Sequence, residues 1–518
     1  MPVTPTFPGV YIEEVPSAVR PIAGVSTSIT AFVGAATRGP TNRPTNIQSF
    51  SDYEKKFGVL HQWSTMSYAV YHFFLNGGSE ALIVRVADTG GGAKKAAAKL
   101  GGANIQATGE GVFGNELKIR VDHDTNASNS DQEKQLFNLF VHDSATGQTE
   151  TFRNVSIVPT SPRYVVSVVG EGSTLIEFVD KKTSVKQPSP KPPVEIGDSA
   201  FSPDLGKYYD NLKGGADGKN PFQDSDITTG LESLERSFFN LLCIPPVERD
   251  ASTPASTYKD AAKLCKDKRA VLVIDPEIGT ETVEKAIIQH ETQIVGQLDA
   301  TLREHSAFYF PRFKASDPVL ENRLATFVPC GAVAGMIART DATRGVWKSP
   351  GGTEAGLTGA VELEVELTDK EQGRLNPLGI NCLRSFPDYG NVVWGVRTAN
   401  GSDAQASQWK YLAVRRTALF IEESLYRGTQ WVVMEPNAKP TWDAIELNIT
   451  NFMQRLFRQG AFQGETPGKA YFVKCDEGTT TQADIDLGIV NILVGFAPLK
   501  PAEFVIIKIQ QIVDTGEQ

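Results

Sequence analysis

The chain has 518 residues, 40% of them hydrophobic and 22% charged, and its 51 Lys plus Arg against 61 Asp plus Glu leave a net charge of −10. At roughly 100–200 residues per domain this length holds about three or four domains, and the ordinary composition excludes a mostly disordered, collagen-like or coiled-coil chain. The acidic balance argues against nucleic acid as the main partner.

Three prolines punctuate the opening MPVTPTFPG, which lacks the charged-then-apolar pattern of a Sec-type signal, so a cytoplasmic product is expected. Val10–Val15 then reads as a short strand, detached from any core by Pro16 and Pro21. A β-branched run follows at Val25–Val33. From Ser51 helical spacing takes over, with Trp63, Met66, Ala69, Val70, Phe73 and Phe74 on one face and a stop at Gly77-Gly78; Ala81–Val86 reads as a buried strand, completing a β–α–β start.

Between Asp88 and Gly218 the character changes. Glycines open this region and prolines cluster near its end, and the runs Leu117–Val121, Phe137–Val141, Tyr164–Val169 and Leu175–Val179 predict short strands of an inserted β module. Beyond it, Phe238–Ile244, Val271–Ile274, Phe308–Phe310 and Phe327–Ile337 are apolar runs alternating with helical stretches, the mark of an α/β domain. Two amphipathic helices follow. One spans Gln408–Arg427 with Gly428 after it. The other is N-capped by Thr441, carries Trp442, Ile445, Ile449, Phe452, Met453, Leu456 and Phe457 on one stripe, and turns Arg455 and Arg458 away from it. Strands at Tyr471–Lys474, Ile492–Phe496 and Glu503–Ile512 close the chain. No stretch reaches the ~18 apolar residues of a membrane span.

Little in the chain supports chemistry. Gly109, Gly111 and Gly114 match GxGxxG, but a strand and not a helix follows, so the glycines read as a turn. Gly218-Lys219 and Gly468-Lys469 lack the flanking residues of a phosphate-binding loop. The five cysteines (Cys243, Cys265, Cys330, Cys382, Cys475) are scattered singly and read as free thiols. The histidines His61, His72, His123, His142, His290 and His305 never stand at metal-ligand spacing, so neither metal nor cofactor is expected. Asp275, His305 and a later serine follow the Asp…His…Ser order of subtilisin-type hydrolases, yet Ser349 precedes Pro350 and Ser385 sits in RSFPDYG, neither framed as a nucleophile. Asn448-Ile449-Thr450 is a glycosylation sequon buried in a predicted helix and carries no weight.

Several motifs nonetheless stand in a recognisable order: PGVYIEE (Pro8–Glu14), TNIQSFSDYEKKFG (Thr45–Gly58), NPLGINCLRSFPDY (Asn376–Tyr389), WGVRT (Trp394–Thr398), RRTALFIEESLYRGTQWVVM (Arg415–Met434), then Glu435-Pro436-Asn437 and GFAPLKPAEFV (Gly495–Val505). In these the chain resembles the contractile tail sheath protein family of phages, bacteriocins and injection systems. The resemblance implies a mixed α/β, multidomain tail-sheath fold divided as N-terminal arm 1–24, first part of the sheath core 25–88, inserted β-rich outer module 89–218, subtilisin-like α/β domain without a working triad 219–364, C-terminal sheath core 365–502 and C-terminal arm strand 503–518. It further implies a non-enzymatic subunit that stacks as six-membered rings around an inner tube and contracts to drive that tube through an envelope. Its arms, carried onto Val10, Tyr11, Ile12 and Glu13 and onto Phe504, Val505, Ile506, Ile507 and Ile509, would add strands to neighbouring subunits. Other implied partners are the inner tube, the baseplate, a terminator or cap protein and sister sheath proteins, with no nucleic acid and no membrane insertion. Assembly in the bacterial cytoplasm as part of a virion tail or a released contractile particle is expected. Arg455 and Arg458 are the expected tube-facing residues. The competing reading is a subtilisin-like hydrolase or a virion-associated binding module.

Overall fold

The computed structural model describes residues 20–88, 90–125, 135–190, 210–218 and 224–506. Packing divides the chain into two units, one made of Thr27–Thr340 and Pro350–Lys410, the other of Met1–Ser26, Asp341–Ser349 and Tyr411–Gln518.

Parallel strands are covered on both faces, so they read as unbroken apolar runs. In the first unit Thr30–Gly34, Leu241–Cys243, Val271–Ile274 and Ser306–Phe310 are buried at every residue. They belong to an eight-stranded sheet in the spatial order Thr45–Ile47, Ala81–Arg85, Thr30–Gly34, Leu241–Cys243, Val271–Ile274, Ser306–Phe310, Asn381–Phe386, Gly390–Val393. The inner strands run parallel and the outermost strand on each side is antiparallel to its neighbour. Helix Ala255–Asp267 crosses between two of them and buries Tyr258, Ala261, Ala262 and Cys265 against the sheet.

Two local expectations change around the sheet. The helical run after Ser51 is two helices, Phe50–Phe57 and Thr65–Leu75, because Ser49 and Ser64 each cap a new N-terminus and Gly58, at φ 91°, ends the first. The apolar stretch Phe327–Ile337 is not one strand: strand Arg323–Phe327 stops and helix Cys330–Arg344 begins. Every residue from Cys330 to Ala338 is buried, so this stretch of the helix has no polar face to reveal its period. Two of its glycines permit this burial. A Cβ on Gly331 would fall 2.0 Å from the Ala69 carbonyl oxygen, and one on Gly335 2.2 Å from that of Phe73, so the helix lies directly on helix Thr65–Leu75.

The inserted region has a core of its own, built around Phe137, Leu139, Val141, Val155, Val165, Val169 and Ile176. Strands Leu117–Asp122, Leu136–Asp143 and Thr149–Ser156 form an antiparallel sheet, while Ala97–Leu100, Ala103–Ala107 and Ile176–Phe178 form another. Tyr164–Val169 is helical, not extended: helix Val165–Gly172 buries Val165, Val166 and Val169, the i, i+1, i+4 spacing of one helix face, where the β-branched valines alone suggested a strand.

The turn Gly109–Glu116 fastens this module to the sheet. Arg85, at the end of strand Ala81–Arg85, donates from Nε to the Ala36 carbonyl (2.9 Å), from Nη1 to the Gly39 carbonyl (2.8 Å) and from Nη2 to the Glu110 carbonyl (2.6 Å). The Phe113 ring centre lies 5.6 Å from the guanidinium of Arg85 and 5.6 Å from that of Arg38. Arg38 in turn pairs with Asp143 of the module at 2.5 Å, the two side chains 7% and 0% exposed. A Cβ on Gly109 would sit 1.9 Å from the Gly39 oxygen, which is why the turn needs glycine there. Residues Val112–Glu116 are a 3-10 turn leading into a strand, the arrangement of a structural turn and not of a dinucleotide-binding helix start.

In the second unit helices Leu412–Gly428 and Lys439–Arg458 pack around Ile421, Trp442, Ile445, Ile449, Phe452, Met453 and Leu456. A bidentate pair, Arg416 Nη1 to Asp341 Oδ1 at 2.8 Å and Nη2 to Oδ2 at 2.5 Å, is almost fully buried.

Candidate assembly surfaces

The hydrolase constellation does not assemble. Strand pairing sets Leu272 level with Ser306, so His305 lies at the start of the parallel strands, where its Nδ1 is 3.0 Å from the Ala270 carbonyl. Asp275 lies beyond the other end of strand Val271–Ile274, about 13 Å further along at the usual strand rise. Its Oδ1 accepts the Cys330 backbone N–H at 2.8 Å, and burial pushes its carboxyl up to about 7. Ser385 is exposed on strand Asn381–Phe386, and Ser349 belongs to the other unit. Asp275 is thus a helix-start acceptor, not the orienting acid of a triad. All five cysteines are buried and unbridged, and burial pushes the Cys382 thiol up to about 12 and that of Cys475 up to about 11. Among the described residues no group of His, Cys, Asp and Glu is arranged to hold a metal ion, and no helix is long and apolar enough to cross a membrane.

The second unit offers surfaces of another kind. Its helix Lys439–Arg458 starts two residues before the expected Thr441 cap. Ala438 is the cap and Pro440 falls in the first turn, where its fixed φ and missing N–H cost nothing. The apolar stripe buries Trp442, Ile445, Ile449, Phe452, Met453 and Leu456, and Asn448 joins it because its Oδ1 accepts the Arg20 backbone N–H at 3.0 Å. Arg455 and Arg458 lie on the exposed side. Arg455 donates to the carbonyl of Ile22, a residue 1% exposed in this core, and its guanidinium is 5.8 Å from the Phe452 ring. Further along the same segment, the Val25 N–H donates to Ser424 Oγ at 3.2 Å. Residues 20–26 are therefore the anchored root of the N-terminal segment. The predicted strand residues Val10, Tyr11, Ile12 and Glu13 lie outside the described residues.

Strands Tyr471–Lys474 and Leu493–Phe496 pair antiparallel with each other and with no third strand among the described residues. Phe472 and Leu493 on this ribbon are half exposed. After it residues 501–506 form no strand, so the strand expected at Glu503–Ile512 is not formed over its described part, and the segment is steadied where the Tyr411 hydroxyl meets Glu503 Oε2 at 3.3 Å. Phe504, Val505 and Ile506 are then 73%, 80% and 82% exposed, three large apolar side chains in water with their backbone in no sheet. Ile507 and Ile509 lie outside the described residues. A two-stranded ribbon with an open edge and an exposed apolar segment outside any sheet are features that in general permit strand addition between chains.

Sequence reasoning missed the Arg85, Arg38 and Phe113 arrangement and the buried Arg416–Asp341 pair. The available signal was arginine inside otherwise apolar elements, as in ALIVR and LAVRRTALF.

Two family models match the chain, the phage tail sheath protein central domain over residues 222–399 and the phage tail sheath C-terminal domain over residues 404–512. A tail sheath protein of Burkholderia phage BcepMu is 24% identical over 477 residues, covering 88% of this chain and 87% of that protein. Among solved structures, the sheath complex of PVC, an extracellular contractile injection system, in its contracted state superposes with a TM-score of 0.57 at 20% identity over 99% of both chains. The contracted helical sheath of the anti-feeding prophage gives 0.57 at 23% identity over 98% of this chain and all of that one.

Proposed function

Because this chain belongs to the phage tail sheath family, we propose that it is the structural subunit of a contractile sheath, stacked as six-membered rings around an inner tube. The observation that carries the assembly mode is the pairing of an open ribbon at Tyr471–Lys474 and Leu493–Phe496 with an exposed apolar segment at Phe504–Ile506 on the same subunit. Each copy can then donate a strand and receive one. Such contacts are heterologous, and a heterologous contact that does not close on itself propagates as a helical tube.

Contraction follows from the same parts. The extended sheath is a kinetically trapped polymer; at a baseplate signal the folded units move as rigid bodies to a shorter, wider packing that buries more surface. Arms 1–24 and 503–518 flex and keep the mesh continuous while the difference in packing energy pushes the tube forward. The middle region serves as a subtilisin-like scaffold from which the chemistry is missing, which the separation of Asp275 from His305 along the sheet supports. Regions 25–88 and 365–502 face the tube and the inserted module 89–218 faces outward.

Deleting Met1–Pro21 or Glu503–Gln518 tests the assignment. Each deletion is expected to give soluble, folded subunits that form no hollow tubes in negative-stain microscopy, where the full chain forms cogwheel-ended tubes. Normal tubes from either deletion would refute strand exchange by that arm.

A further inference from the structure

Three elements of the sheet-bearing unit meet at Asp317. Tyr68, from helix Thr65–Leu75, donates its hydroxyl to Asp317 Oδ1 at 2.9 Å, and Arg249 donates from Nη2 to Oδ2 at 2.5 Å. Asp317 itself ends strand Phe313–Asp317. The Arg249 guanidinium lies over two adjacent rings, 4.5 Å from the centre of Tyr68 and 4.8 Å from that of Phe327, whose centres are 5.0 Å apart. His72, only 2% exposed, packs 5.0 Å from each of Phe313 and Phe327.

These contacts leave a specific deficit. Arg249 Nε and both ring nitrogens of His72 are buried and meet no protein hydrogen-bond partner among the described residues. A buried polar group without a partner forfeits the hydrogen bond it had in water. Beside them, Thr65, Tyr68, His72, Arg249, Arg312 and Phe327 line a cavity with about 20 Å³ of room for the centre of a water-sized sphere. A space above ~10–15 Å³ with polar partners is enough for one water molecule and too little for an organic ligand.

We propose that this cavity binds a single internal water, which accepts the Arg249 Nε–H and donates to the unprotonated ring nitrogen of His72. Water fits better than a small anion for two reasons. The charge of Arg249 is already met by Asp317, and burial holds His72 down to about 4, so its neutral ring needs a donor as well as an acceptor. Bound there, the water selects one tautomer of His72 and completes the joint between helix Thr65–Leu75, the loop carrying Arg249 and the hairpin that begins at Phe313.

Crystals of the full chain that diffract well enough to show ordered solvent, together with a bromide soak, test this. The expected map has one peak within hydrogen-bonding distance of both Arg249 Nε and a His72 ring nitrogen, with no anomalous signal after the soak. An empty cavity, or an anomalous peak marking a halide, would overturn it. In His72→Phe the peak should vanish while the aromatic packing is kept; a peak that persists unchanged would overturn the assignment of His72 as its acceptor. The wild-type map decides the matter even if that variant does not fold.

Discussion

Asp275 shows how a residue that looks catalytic in sequence can be explained by packing. It ends a buried strand, accepts the first N–H of helix Cys330–Arg344, and is held protonated near neutrality by desolvation. The folded chain therefore keeps a proton that the unfolded chain releases above about pH 4. The stability from this group is present at low pH and is lost as pH rises towards about 7, by roughly 4 kcal/mol in all if burial is complete. Asp275→Asn, which keeps the Oδ1 acceptor without the charge, is expected to gain on the wild type in urea unfolding between pH 5 and pH 8. A difference that does not change with pH would contradict the desolvated state of this carboxyl. His72 and His290 act in the opposite sense: burial holds each down to about 4, so they favour the fold above their ordinary 6.5 and cost stability as pH falls below it. In one unit, then, two kinds of buried group pull the pH optimum from both sides.

Elements were legible where one face meets water and obscure where none does. The helix Lys439–Arg458 could be read from its stripe because the opposite side is polar; the helix Cys330–Arg344 could not, since its first nine residues are all buried and Gly331 and Gly335 hide a helix crossing behind small side chains. The parallel strands announced themselves as continuous apolar runs, but the clasp made by Arg85, Arg38 and Phe113 depends on partners far apart in the chain, which no spacing encodes. Two substitutions weigh these elements. Gly335→Ala, whose new Cβ would press on the Phe73 carbonyl, is expected to lower stability by about 2–3 kcal/mol without disturbing the second unit. Phe452→Ala, which empties the centre of the other core, should cost about 3–5 kcal/mol there. Denaturation followed by hydrogen exchange would locate each loss; a loss spread evenly through both units would contradict their separate cores.

At the scale of the molecule, the net charge of −10 says little until it is divided by surface. If Arg455 and Arg458 face an acidic tube, charge reversal as Arg455→Glu/Arg458→Glu should leave the fold intact and release sheath from tube at moderate salt, where the wild type stays bound. Sedimentation of sheath with tube across a salt series measures this, and equal binding of both proteins at every salt would remove these residues from the interface. Arg455 also donates to the Ile22 carbonyl, so the single variant Arg458→Glu tests tube contact without disturbing the anchoring of the N-terminal segment.

The clasp at Gly109–Glu116 carries a mechanical consequence. Arg85 binds three carbonyls on both sides of the junction and the Phe113 ring lies 5.6 Å from two guanidinium groups, so among the described residues a sideways load on the module is carried by these contacts. It enters the sheet at the end of strand Ala81–Arg85 and spreads into Thr30–Gly34 through the pairing along its length. A protein or peptide grafted onto the far turns of this module would therefore be carried as on a fixed bracket, turning through the same angle as the sheet beneath it.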